Sequence, residues 1–224
     1  MDSFKEKFIE QKASAVIKAL EENNMNGFFA KTAEDAKKIA QSILNPGDVV
    51  SHGGSVTLKE CGITDLLKNG SYTYLDRSDP ELTFEQINEI YRKTFSADVY
   101  FTSTNALTVN GELYNVDGNS NRVAAMLFGP KKVIVIAGYN KIVNSIDEAA
   151  ERVKSIAAPV NCMRLGKNTY CKEKGECVSL KNGNSSLSAG CQSPDRICRN
   201  FVIMNKQNTK DRIYVIIVGE ELGY

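Results

Sequence analysis

The sequence has one histidine, His52, so any Ser–His or Cys–His chemistry would have to run through it. It has no GxSxG nucleophile elbow. It also lacks the terminal GK[ST] of a P-loop and the GxGxxG dinucleotide fingerprint. It has no excess of one charge, since 28 Lys and Arg against 27 Asp and Glu leave a net +1. Acids and bases are interspersed, so neither a nucleic-acid groove nor a polybasic membrane patch is expected. Apolar runs such as Val133 to Gly138 are far short of a bilayer span, and MDSFKEKFIEQ contains no signal-peptide core. A cytoplasmic chain is therefore expected. In that compartment six cysteines are read as thiols or metal ligands before disulfides.

The 224 residues, 42% hydrophobic and 25% charged, suit a globule with a substantial core. Residues 4–20 carry apolar side chains at helical spacing, and Met25 to Ala30 reads as a buried strand. Thr32 with Asp35 caps the next helix, which Asn45-Pro46-Gly47 ends. DVVS (48–51), Tyr72 to Leu75, DVYFTS (98–103) and KVIVIA (132–137) read as strands, the last of them central. Thr83 to Phe95 and Asn119 to Phe128 read as helices. Asn110-Gly111 between two short strands is a type I′ hairpin signal. Ser145 with Glu148 forms a capping box for a helix to about Ala157. Two closing strands, 201–205 and 213–218, are expected to pair with each other at a sheet edge. Strands alternating with helices predict an α/β fold, mostly a parallel sheet with helices on both faces, in a single domain over 1–224. A cysteine-bearing segment spans 161–200, and its tract KNGNSSLSAG reads as an exposed loop.

In such a fold ligands bind beyond the carboxyl ends of the strands. Gly53, Gly54, Ser55 and Thr57 follow one strand. Their glycines let a ligand approach the backbone, and a following helix start offers N–H groups to an anion; the alternative is a plain tight turn. Ser103 and Asn105 follow a second strand. Asn119, Asn121 and Arg122 follow a third, and a guanidinium suits a carboxylate or phosphate unless it is spent on a surface ion pair. Lys141 adds a cation or is a loop lysine in solvent. His52 is read as shaping its loop rather than as catalytic, and Cys61 as a small core residue. Cys171, Cys177, Cys191 and Cys198 could complete a zinc site or, second to it, hold an iron–sulfur cluster; the alternative to either is reduced free thiols.

SHGGSVTLKECGI, SADVYFTSTNALTVNGELYNVDGNSNRVAAMLFGPKKVIVIAGYNKIV and RIYVIIVGEELGY, in that order, resemble the LUD-domain proteins of the lactate utilisation B and C type. CKEKGEC…CQSPDRIC resembles the cysteine tail of their short members. The resemblance implies a fold like ribose-5-phosphate isomerase, glucosamine-6-phosphate deaminase and the CoA transferases. It also implies a role as an accessory subunit or enzyme in oxidising lactate or a related 2-hydroxy acid. A small anionic ligand, and iron–sulfur redox subunits or further copies of the chain, are the implied partners. The fold relatives imply an alternative, action on a phosphosugar or CoA ester. The chain departs from the family pattern at Thr108-Val109-Asn110-Gly111-Glu112, where many members carry Ala-Glu-Thr-Gly-Thr, and in the insertion between Cys177 and Cys191.

Overall fold

The computed structural model describes residues 2–184 and 186–224; Ser185, within the KNGNSSLSAG tract, lies outside the described residues. The strands are β1 (Asn26–Ala30), β2 (Val49–His52), β3 (Thr73–Tyr74), β4 (Val99–Thr102), β5 (Ala106–Thr108), β6 (Leu113–Asp117), β7 (Lys132–Gly138), β8 (Ile142–Val143), β9 (Asn200–Met204) and β10 (Ile213–Val218). The helices are α1 (Ser3–Glu22), α2 (Ala33–Ile43), α3 (Val56–Glu60), α4 (Ile63–Asn69), α5 (Phe84–Thr94), α6 (Asn121–Leu127), α7 (Ile146–Arg152), α8 (Ala158–Arg164), α9 (Tyr170–Lys174) and α10 (Val178–Lys181).

Six strands make one sheet in the order β1-β10-β7-β4-β2-β3, parallel at every pairing. Its centre is β7 and β10, whose runs KVIVIAG and IYVIIV are apolar on both faces, as a strand covered on both sides must be. Successive side chains point to opposite faces. Val133, Val135, Val215 and Ile217 pack with Ala13, Val16 and Leu20 of α1 and Met126 of α6. Ile134, Ile136, Ile216 and Val218 pack with Ala36 and Ala40 of α2, Leu58 of α3 and Leu67 of α4. The sheet is thus the parallel one expected, with helices on both faces.

A second sheet, β8-β5-β6-β9, stands beside it and carries α7 and α8 over a separate cluster containing Tyr114, Val143, Ala150, Val153 and Ala158. Here four expectations are corrected. The two closing strands do not pair with each other: β9 joins β6 antiparallel, and β10 inserts between β1 and β7. The reason is burial, since a strand as apolar as β10 gains most at the sheet centre. The Asn110-Gly111 turn is not type I′, which needs positive φ at both residues; Gly111 has it (φ +77°) and Asn110 does not. Gly111 N–H donates to Thr108 O at 3.0 Å and Thr108 N–H to Glu112 O at 2.9 Å, enclosing a three-residue loop with Gly111 left-handed. The loop packs on the end of α1, where a Cβ at Gly111 would stand 2.8 Å from Leu20 N. Finally, the helix from Ser145 does not stop near Ala157. It continues through a π-helical turn, Val153–Ala157, into α8. That wider turn passes Pro159, which has no N–H to give. Ser145 caps it by accepting from Glu148 N, while the Glu148 carboxylate bonds Asn144 rather than returning to Ser145.

Candidate functional site

From β2 the chain moves outward to β3, then crosses back to β4 on the other side. The helices α3 and α4 that follow β2 pack on one sheet face, and α6, reached from β4 through the second sheet, packs on the other. The connections therefore part between β2 and β4, the topological switch point at which open α/β sheets leave a crevice. A cleft of about 470 Å³ opens there. Gly54, Ser55 and Thr57 reach it from the end of β2, Ser103 and Asn105 from β4, Asn119, Asn121 and Arg122 from beyond β6, and Lys141 from beyond β7. Gly53 does not line it; its N–H donates to Phe101 O at 2.8 Å, and a Cβ there would stand 2.8 Å from the Tyr100 hydroxyl. α3 and α6 are only five and seven residues long, so the expected contribution of helix starts is small.

Lys141 is not a solvent lysine. It is 2% exposed, and its Nζ donates to Thr57 Oγ1 and Ser103 Oγ, each at 2.9 Å. Burial first, and the Arg152 guanidinium next, push its pKa down to about 7. The segment after β10 covers it: a Cβ at Gly223 would stand 2.5 Å from Thr57 Oγ1 and 3.4 Å from Lys141 Nζ.

Arg122 lines the cleft with its guanidinium bonded to protein groups on every nitrogen. Nε pairs with Asp117 Oδ2 at 3.2 Å. Nη1 donates to Ser103 O and to Asn115 Oδ1 at 2.6 Å, and Nη2 to Asn105 Oδ1 and Val116 O. Both terminal nitrogens are thus hydrogen-bonded within the protein, and Nε is ion-paired. Arg122 thus ties the loop after β4 to β6 and α6 while it lines the cleft. Asp117 also accepts from Asn119 N and Ser120 N, holding Ser120 at φ +66°, a backbone conformation that non-glycine residues seldom adopt.

The sequence reading missed Arg77. It follows the two-residue edge strand β3, and nothing in its neighbourhood marks a lone arginine as special. Its Nε donates to His52 O and its Nη1 to the Tyr91 hydroxyl, which leaves Nη2 lying over Gly54, where a Cβ would stand 2.8 Å away. His52 does not line the cleft. Its ring stacks on Tyr74, with centroids 5.8 Å apart, and Nδ1 bonds Gly53 O at 2.7 Å. Burial lowers its pKa and so favours the neutral ring, and Nε2 has no partner among the described residues. The remaining rim carries Arg164, Lys167 and Arg199 from the cysteine-bearing segment. Arg164 bonds Asn161, and Arg199 bonds Pro194 O.

That segment also encloses a second, smaller pocket of about 20 Å³. Cys171, Cys177, Cys191 and Cys198 all line it, and Cys162 of α8 joins them. All six cysteines are unpaired. Burial pushes the Cys162 thiol up to about 11 and that of Cys198 to about 12. Lys154 and Arg196 stand among them and, of the lining residues described, none is a carboxylate. Tyr114 also faces the pocket, with a buried hydroxyl that has no hydrogen-bond partner. Among the described residues, no three His, Cys, Asp or Glu side chains are gathered closely enough to hold a metal ion. No helix of the described residues is long and apolar enough to cross a membrane.

The model of a protein family, the LUD domain, matches residues 13–218. Among solved structures, the chain is similar to a DUF162 family protein from Deinococcus radiodurans. The two are 16% identical over 96% of this chain and 98% of that one, with a TM-score of 0.47. It is also similar to ribose 5-phosphate isomerase from Plasmodium falciparum, at 18% identity over 49% of this chain and 51% of that one (TM-score 0.31). A third similar structure is eIF2B beta from Chaetomium thermophilum, at 18% identity over 52% and 41% (TM-score 0.34). No curated protein matches the chain.

Proposed function

This chain belongs to the LUD-domain family, and on that premise we propose that it serves lactate utilisation, as an enzyme or accessory subunit that binds a small carboxylate in the cleft. The ligand is a 2-hydroxy acid or the 2-oxo acid formed from it. One observation carries the reading, the charge balance of the cleft. Arg77, Arg164, Lys167 and Arg199 meet there, while the two aspartates lining it are already engaged, Asp117 with Arg122 and Asp195 with Asn168 N. A cavity so lined draws anions, and a free guanidinium edge over a glycine suits a carboxylate. Titration calorimetry with lactate, pyruvate, ribose 5-phosphate and CoA tests it. Carboxylate binding weakened about tenfold in Arg77→Ala is expected, on the scale of one charge-assisted contact; carboxylates that do not bind would end the reading.

A second reading rests on size. A cleft of about 470 Å³ lies within the range of pockets that take drug-sized ligands, far more than lactate fills. Its outer cations could hold the phosphate of a phosphosugar or CoA ester while the other end lies at Lys141. Tighter binding of ribose 5-phosphate or CoA than of pyruvate would select it.

The cysteine pocket is proposed as a zinc site. Two cations without a carboxylate partner suit thiolates, and about 20 Å³ is room for one water-sized species, a single ion before an iron–sulfur cluster. The ligands must draw together on binding, as in sites whose order comes with the metal. A cytoplasmic setting, and an accessory role beside iron–sulfur redox subunits, complete the proposal.

A further inference from the structure

Lys141 has surroundings that a permanent cation would not choose. Its side chain is 2% exposed and ends at the cleft floor. Its two hydrogen-bond partners are hydroxyls, Thr57 Oγ1 and Ser103 Oγ. Of the charges acting on it, the Arg152 guanidinium outweighs the Glu60 carboxylate, and Arg122 adds a second like charge. Water, which would stabilise an ammonium, is largely excluded. Two hydroxyls account for two N–H groups. A neutral amine bonded in this way still has its lone pair, whereas an ammonium has one N–H left. Burial favours the neutral form, and a lysine desolvated beside another cation is a known way to activate an amine as a nucleophile.

We propose that Lys141 forms an imine with the carbonyl carbon of a 2-oxo acid held in the cleft, an inference that rests on the carboxylate reading above. The amine nitrogen attacks the carbonyl carbon. A C–N bond forms as the carbonyl π electrons move to oxygen, which takes up a proton. The hydroxyl so formed then leaves with a second proton as water, and the nitrogen lone pair closes the C=N bond. Amine and carbonyl become imine and water, with no net oxidation. Thr57 and Ser103 stand at Nζ with hydroxyls that can both donate and accept, so they can carry protons between nitrogen and oxygen. Arg77 Nη2, over Gly54 in the same cleft, supplies a cation for the carboxylate. The iminium is an electron sink, so protons on the carbon next to it become acidic. A bound 2-oxo acid should therefore exchange them with solvent.

The test uses the intact chain with pyruvate and cyanoborohydride, followed by mass spectrometry and peptide mapping. Pyruvate binding is measured in parallel by calorimetry without reductant. One reduced pyruvyl group per chain is expected, on the peptide containing Lys141. Lactate, which has no carbonyl, should compete it away. Lys141→Met and Lys141→Arg should both lose it, the arginine variant while retaining a cation; mapping on the wild-type chain stands even if neither variant folds. Exchange of the pyruvate methyl protons in deuterated buffer, followed by NMR, should exceed the blank and fall at least tenfold in the variants. Pyruvate that binds but is not trapped on Lys141 would overturn the imine and leave the carboxylate reading intact. Pyruvate that neither binds nor is trapped would overturn both. Adducts spread over exposed lysines, and unchanged in the variants, would also overturn the imine.

Discussion

The cleft and the cysteine pocket share a wall, with Val153, Ala158, Arg196, Ile197 and Cys198 lining both, yet they are built in opposite ways. The cleft is made largely by the ends of regular strands, and its inner side chains are already bonded: Lys141 to Thr57 and Ser103, Arg122 to Asn115, Val116 and Asp117. The pocket is made mostly by residues 161–200, whose helices α9 and α10 are five and four residues long. It contains the Cys198 thiol, which burial pushes up to about 12, a Tyr114 hydroxyl without a partner among the described residues, and cations with no carboxylate among the lining residues. A site set by a scaffold is ready before its ligand arrives; a site set by an irregular segment needs something bound to finish it.

Four experiments can break or sharpen that contrast. The largest effect is expected at the pocket. Protein purified under reducing conditions should take up one zinc per chain, and Cys171→Ser with Cys198→Ser should abolish it, as metal analysis and thiol counting will read. Zinc absent with six freely reactive thiols would leave the pocket a mere gap in packing. Second is Arg122→Ala, which strips Asp117, Asn105 and Asn115 of their partner and should cost about 3–5 kcal/mol in denaturant unfolding, the range for breaking a buried ion pair. A small loss would mean that the cleft is not held by this residue.

Third is the pH dependence of Lys141. With a folded pKa lowered to about 7, the unfolded chain binds more protons than the folded one between pH 7 and the ordinary lysine value. Stability therefore rises with pH across that window and is lost as pH falls back to 7; below it the cost is constant. Lys141→Met lacks this slope, so the wild type should gain on the variant by about 4 kcal/mol between pH 7 and 10.5. A gap independent of pH would mean that Lys141 is solvated. The smallest effect is Arg77→Ala, about 1.4 kcal/mol in carboxylate affinity with little change in melting temperature. A large loss of stability there would make Arg77 another scaffold residue like Arg122.

Most of the scaffold was legible. The apolar runs of β7 and β10 and the N-caps at Thr32 and Ser145 mark elements through local chemistry, and the structure keeps them. The partners of those elements were harder to read. Nothing local tells β10 to leave β9 and enter the main sheet, or the helix after Ser145 to widen around Pro159. At the site, strand-end positions such as Ser103 and Asn105 could be read because topology sends strand ends to one place. Arg77 could not, since a lone arginine in a loop has no pattern. Cys162 was seen but not grouped with the other four, because the helix that carries it runs further than its periodicity indicates.

By itself the sequence determined the alternation of strands and helices, the family, and which loops end at the carboxyl edge of the sheet. These follow from periodicity, capping and chain order, which are properties of neighbours along the chain. Only the tertiary structure decided the states of the groups in the cleft. Lys141 became a buried amine because the segment around Gly223, far away in sequence, folds over it. Arg122 became a strut because Asn105, Asn115 and Asp117 meet around it. Burial and charge state depend on what packs against a side chain, and local sequence does not carry that information.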